Sequence, residues 1–143
     1  MYATLADILE QMAESDLVAL TDDSQAGTVD TDVVDWALNG ADALIDAYCH
    51  DRYQVPFNPV PRLAVKFSVD LAIYNLYARR PHVEVPEAVK DRNAQVLAYL
   101  KRVQTGEASM GADAAAITVA TESQSGLTPG NERLFTRTTM RGL

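Results

Sequence analysis

The sequence predicts a mainly α protein: a small bundle of about four helices around one central apolar helix, followed by a Thr/Ala/Gly-rich C-terminal arm with the pattern of a short β-hairpin. Three observations carry this expectation. Apolar residues recur at helical spacing in four successive segments, prolines separate the later ones, and after Gly106 small and hydroxylated residues replace core-sized side chains. The chain has 143 residues, 48% hydrophobic and 22% charged, which suits a single domain and lies far from the composition of a disordered chain.

Thr4 with Asp7 three residues later reads as an N-cap pair, and Leu5, Ile8, Leu9 and Met12 then follow a helical period, so a first helix is expected over 4–14. Residues 16–20 add one apolar turn before a polar loop over 21–28 that contains Gly27. Asp30 or Thr31 caps a long helix over 32–52. Its apolar stripe is Val34, Leu38, Ala41, Ile45 and Tyr48, broadened by Val33, Ala37 and Leu44, while Asp35, Asn39, Asp42 and Asp46 share another face. Pro56, Pro59 and Pro61 exclude helix over 54–61. The third helix, over 62–80, is apolar on nearly every side and is the expected centre of the core, with Phe67 and Leu71 receiving Leu38 and Ile45. Asp70 is its polar exception, and Lys66 one turn earlier is its expected partner. Pro86 and Glu87 open a last helix with Val89, Val96, Leu97, Leu100 and Val103 as its stripe, ending near Gly106.

This division places a helical body over 1–106 and a flexible arm over 107–143, in which 117–122 and 134–140 have strand-like patterns around the Pro129, Gly130 turn. A lone hairpin is marginal in water, so such an arm is expected to order on a neighbour.

Charge is distributed unevenly. The first 51 residues hold 12 acidic residues and no Lys or Arg, whereas the remainder has 12 basic residues against 8 acidic ones. A chain polarised in this way suits head-to-tail association. The candidate subunit interface sets Asp35, Asp42 and Asp46 of one copy against Arg79, Arg80, Lys101 and Arg102 of the next. A solvated acidic face is the plainer reading of the same stripe. Specific nucleic-acid binding is not expected, because the acidic third lacks the clustered cations and aromatics it needs. No apolar run reaches the roughly 18 residues of a membrane span, and the opening residues lack the pattern of a secretory signal, so a soluble, unexported protein without membrane contact is expected.

No constellation specifies catalysis, a cofactor or a metal. Asp22, Ser24, Gly27 and Asp30 fall on EF-hand positions, but Ala26 and Val33 stand where two further ligands belong. Cys49, His50 and Asp51 are consecutive, and consecutive helical residues diverge by about 100°, so they form no triad. There is no Gly-rich phosphate loop, nucleophile elbow or CxxC motif. No enzyme is expected.

The order of short motifs is more informative. The opening Met1, Tyr2, Ala3, Thr4, Leu5, Ala6, Asp7; the step Leu20, Thr21, Asp22 into Gly27, Thr28, Val29, Asp30; the helix end Ile45, Asp46, Ala47, Tyr48; the run Arg52 to Pro56 with Pro59 and Pro61; and the run Asp70 to Tyr77 together resemble the Mu-like phage and prophage family of small head-gene-cluster proteins. The resemblance covers residues 1–111 and is weakest in the arm. That family is similar in size and helical content to the head-to-tail connectors of tailed phages, and it carries no catalytic residues to transfer. The resemblance implies a neck or adaptor subunit that forms a homo-oligomeric ring between portal and tail-side neck proteins. DNA would pass through its lumen without specific binding. The implied location is the virion neck, reached from the host bacterial cytoplasm during assembly. Two alternatives stay open: an acidic helical adaptor or regulator that binds a basic protein, and a hydrolase around Cys49 and His50.

Overall fold

A computed structural model describes residues 1–111 and residue 114. It contains α1 (Leu5–Leu9), α2 (Glu14–Thr21), α3 (Thr31–Cys49), α4 (Arg62–Ala78) and α5 (Glu87–Thr105), and no strand among the described residues. The strand-like segments expected over 117–122 and 134–140 lie outside the described residues.

α3, α4 and α5 form an up-down-up bundle. Asn75 Nδ2 donates to the Ala37 carbonyl, and Ser68 on α4 reaches Asp42, so α3 and α4 run antiparallel. Phe67 meets Tyr99, while Asp70 lies near Arg92, which makes α4 and α5 antiparallel as well. α4 is the centre, burying Phe67, Val69, Leu71, Ala72, Ile73 and Leu76 on several sides, as its apolar sequence predicts. Leu38 and Ile45 of α3 are fully buried, and α3 packs principally on α4. Asp30 caps α3 by accepting from the Asp32 and Val33 N–H groups at 3.0 and 3.4 Å. Lys66 Nζ reaches Asp70 at 2.9 Å, the expected pair.

The first helix expected over 4–14 is shorter than expected, and the apolar turn expected over 16–20 lies in a second helix, α2. Thr4 and Asp7 form the expected cap, with Asp7 Oδ2 accepting from the Thr4 N–H and hydroxyl at 2.7 Å each. α1 then stops at Leu9, and the Gln11 and Met12 N–H groups both bond the Ile8 carbonyl. The cause is geometric. Ile8 and Leu17 are both fully buried. Nine residues at about 100° each would place them on opposite sides of a straight helix, so the chain must turn to bury both.

The body also continues past Gly106. Gly106, at φ 90°, ends α5 in a Schellman arrangement, its N–H on the Val103 carbonyl and the Glu107 N–H on the Arg102 carbonyl. Arg52 Nη1 donates to the carbonyls of Val103 and Ala108 at 2.9 and 3.1 Å. The Met110 N–H donates to the Tyr53 hydroxyl at 3.1 Å, and Met110 is fully buried. Residues 107–110, assigned to the arm from their small-residue texture, therefore pack on the core through one methionine that this texture conceals.

Candidate functional site

The seven candidate interface residues fall into three environments. Asp42, expected on a partner-facing stripe, is instead buried, at 9% exposure. Its Oδ2 accepts from the Tyr2 N–H at 2.8 Å and its Oδ1 from the Ser68 hydroxyl at 2.5 Å, with the Met1 ammonium 3.9 Å away. Asp46 is half-buried and accepts from the Tyr2 hydroxyl, which in turn accepts from the Phe57 N–H at 3.0 Å. Burial, followed by the Asp46 contact, pushes the Tyr2 phenol well above its ordinary pKa, so it remains a donor. Tyr2 and Tyr53 flank Phe57 with ring centroids 5.5 and 5.9 Å away. The two carboxylates thus fasten the first residues of the chain across α3 and α4, and Asp42 is turned inward, away from a neighbouring copy.

Arg79 and Arg80 are also engaged internally, which corrects their assignment to a partner-facing basic patch. Both guanidinium groups hold Asp23, Arg80 at 2.6 Å, and both donate to the Leu20 carbonyl, at 2.9 and 3.2 Å. They close the C-terminal end of α2, where carbonyls lack helical partners and cations are favoured. The Arg79 hydrogen bond holds the Asp23 carboxyl below its usual range. In the same loop, Asp22 accepts from the Gly27 and Ala26 N–H groups at 2.7 and 2.9 Å, and these bonds lower its pKa. Of the carboxylates that mimicked an EF-hand, Asp22 is thus used as a loop brace and Asp30 as the N-cap of α3.

Asp35, Lys101 and Arg102 are exposed. Arg102 Nε stands 4.0 Å from Glu107, a loose surface pair of small energetic weight.

Two further groups bear on chemistry. Cys49 is fully buried, and burial, aided by Asp46, pushes its thiol up to about 11, so it is protonated at neutral pH. His50 directs Nδ1 to the Ala47 carbonyl at 2.8 Å and Nε2 to Asp51 at 3.0 Å, not to Cys49. Asp70 is the most secluded carboxylate of α4. One oxygen takes Lys66, and the other has Arg92 at 3.9 Å and no hydrogen-bond partner among the described residues. A shallow cleft of about 180 Å³ opens beside it, lined by Phe67, Arg92 and Tyr99.

One exposed surface feature was not singled out by the sequence reading. Trp36, the one tryptophan of the chain, is 57% exposed on α3. Gly40, Ala43, Leu44 and Ala47 continue from it at helical spacing, all on the exposed side. Asp32 and Asp35 flank the indole, and a hollow of about 300 Å³ lies between Trp36, Val33, Asp32 and Arg79. A lone tryptophan off the core period of an amphipathic helix is the signal that could have found it.

Fold and surface together define, among the described residues, a small helical protein that fastens several of its charged side chains internally and exposes its one tryptophan on α3. The chain belongs to the family described as Bacteriophage Mu, Gp36, which matches residues 2–128, and it is thus a phage-related protein. The match extends past the residues 1–111 that carry the motif resemblance. No curated protein matches the chain.

Proposed function

We propose that the protein is a structural subunit of a tailed phage or prophage, a head-to-tail connector or neck adaptor that forms a ring between portal and tail-side neck proteins. Family membership is the observation that carries this reading. Three physical features support it. The body is small and internally fastened, the form of a rigid wedge. Its charge is polarised along the sequence, which suits the non-self-complementary contacts that close into rings. Exposed carboxylates, among them Glu10, Glu14 and Asp51, would let DNA slide past without adhering. In this reading the subunit performs no catalysis, matures in the host cytoplasm and resides in the virion neck. The test is removal of its gene from an inducible prophage that carries it. DNA-filled heads and unattached tails are the expected products, restored to whole particles by the protein in trans. Normal yields of tailed, infectious particles would overturn the reading.

A further inference from the structure

We infer that the exposed stripe of α3 centred on Trp36 docks onto the C-terminal outer face of α5 in a second copy of the same chain, with the indole seated between Lys101 and Arg102. The inference deepens the ring reading above and rests on it for its biological setting.

The chemistry of the two faces is complementary. The α3 face presents an exposed indole and Leu44, flanked by Asp32 and Asp35, on a helix that has no Lys or Arg. Two such faces meeting each other would oppose like charges, so a self-complementary dimer through α3 is disfavoured. The occupant must bring exposed cations over a surface that can receive a flat ring. Among the described residues most basic side chains have internal partners: Arg52 holds carbonyls, Lys66 holds Asp70, Arg79 and Arg80 hold Asp23, Lys90 holds Glu87, and Arg92 holds Gln11. That leaves exposed Arg62 and the adjacent Lys101 and Arg102, the last only loosely paired with Glu107 at 4.0 Å. Lys101 and Arg102 stand together on the surface of α5 beside a shallow hollow of about 310 Å³ that Ala98, Thr105 and, at its end, Glu107 also line. Small residues there leave room for the indole. The two cations can then lie against its ring, since tryptophan is the strongest cation–π acceptor among the side chains, while Asp32 and Asp35 meet the same cations at the rim.

The position of the faces fixes the kind of assembly. α3 and α5 run in the same direction, and Arg52, just beyond the end of α3, touches the end of α5. Trp36 therefore lies about 20 Å along the bundle from the level of the hollow. A surface and its complement at opposite ends of one rigid body cannot mate within that body, and they join copies head to tail.

The experiment follows sedimentation of the full chain over a wide concentration range, with Trp36 emission as a second readout. The parent is expected to self-associate, with emission moving to shorter wavelength. Trp36→Glu and Ala98→Glu change exposed positions, so both are expected to keep the parent circular dichroism and melting behaviour while weakening self-association at least tenfold. Ala98→Glu should also keep the emission of a solvent-facing indole at every concentration. Mixed one to one, the two variants should form a dimer and stop there, because each retains one working face. If Trp36→Glu associates like the parent, the α3 face is not the contact. Loss of association in Trp36→Glu but not in Ala98→Glu would refute the α5 partner, as would a mixture that stays monomeric. A parent that remains monomeric to its solubility limit would overturn the inference as well. The connector reading is judged separately, by the particles that lack the gene.

Discussion

Asp35 and Asp42 stand two turns apart on one side of α3, yet one is exposed and the other is among the few buried charged residues. Helical period assigns a side chain its direction and says nothing about what lies in that direction. Over the N-terminal half of the stripe there is no cover. Over the C-terminal half, Tyr2 and the chain preceding α1 lie across the helix, and Ser68 of α4 supplies a second donor. The difference teaches that a row of like residues on a helix need not form one functional surface.

Substitutions along the stripe and its cover test that contrast, beginning with the largest effect. Ile45→Ala, between Asp42 and Asp46, should lower stability by about 2–5 kcal/mol in denaturant unfolding, because it opens space in the α3–α4 core. Asp42→Ala should lower it by about 1–3 kcal/mol by stranding the Ser68 hydroxyl and the Tyr2 N–H. Adding Ser68→Ala should cost less than the sum of the single changes, since the partners form one network. If Asp42→Ala were neutral, the two halves of the stripe would be energetically alike and the contrast would fail.

Tyr2→Phe removes the bond to Asp46 and should cost about 1 kcal/mol at neutral pH. It should also alter the alkaline limb. The folded phenol titrates above its ordinary value, so the folded chain keeps a proton that the unfolded chain releases near pH 10. Its stabilisation is therefore full below about pH 10 and declines as pH rises further, whereas the Phe variant should lack that part of the decline. The smallest effect belongs to Asp35→Asn, expected within about 0.5 kcal/mol of the parent by the same unfolding measurement. At the acid end, Asp22 and Asp23 have lowered pKa values, so the stability they contribute is present above the ordinary carboxylate pKa and is lost as pH falls through the folded values. Asp23→Asn should flatten that limb of a pH titration of the melting temperature.

Much of the bundle was legible in the sequence. The central helix was expected over 62–80 and is found at Arg62–Ala78, bounded by Pro61 before it, and the last helix stops where a glycine can take a left-handed turn. Asp30 and the Thr4, Asp7 pair cap as their chemistry dictates. The misreadings share a cause, which is cover supplied from far along the chain. Nothing local to Asp42 announces Tyr2, 40 residues earlier, and nothing local to Arg79 announces Asp23, 56 residues earlier. Met110 was set aside for the small residues around it, although Tyr53 and Arg52 had the donors and acceptors to dock that segment. Charge and a shared helix face mark the residues that pair internally, such as Asp42 and Arg79, as readily as those that remain outside, such as Asp35. Trp36 needed the opposite test, an apolar residue out of phase with its own helix.

The grip of Arg52 and Tyr53 on residues 108 and 110 has a consequence for everything that follows them. It sets the departure point of the chain beside Tyr99 and Arg102, at the α5 end of the bundle. Arg52 and Tyr53 thus act as a strap over residues 108–110, so that the direction in which the chain leaves the body is decided by the segment between α3 and α4 and not by α5 itself. Loosening Arg52 would release residues 108–110 and move that exit back toward Gly106, without altering any residue beyond it.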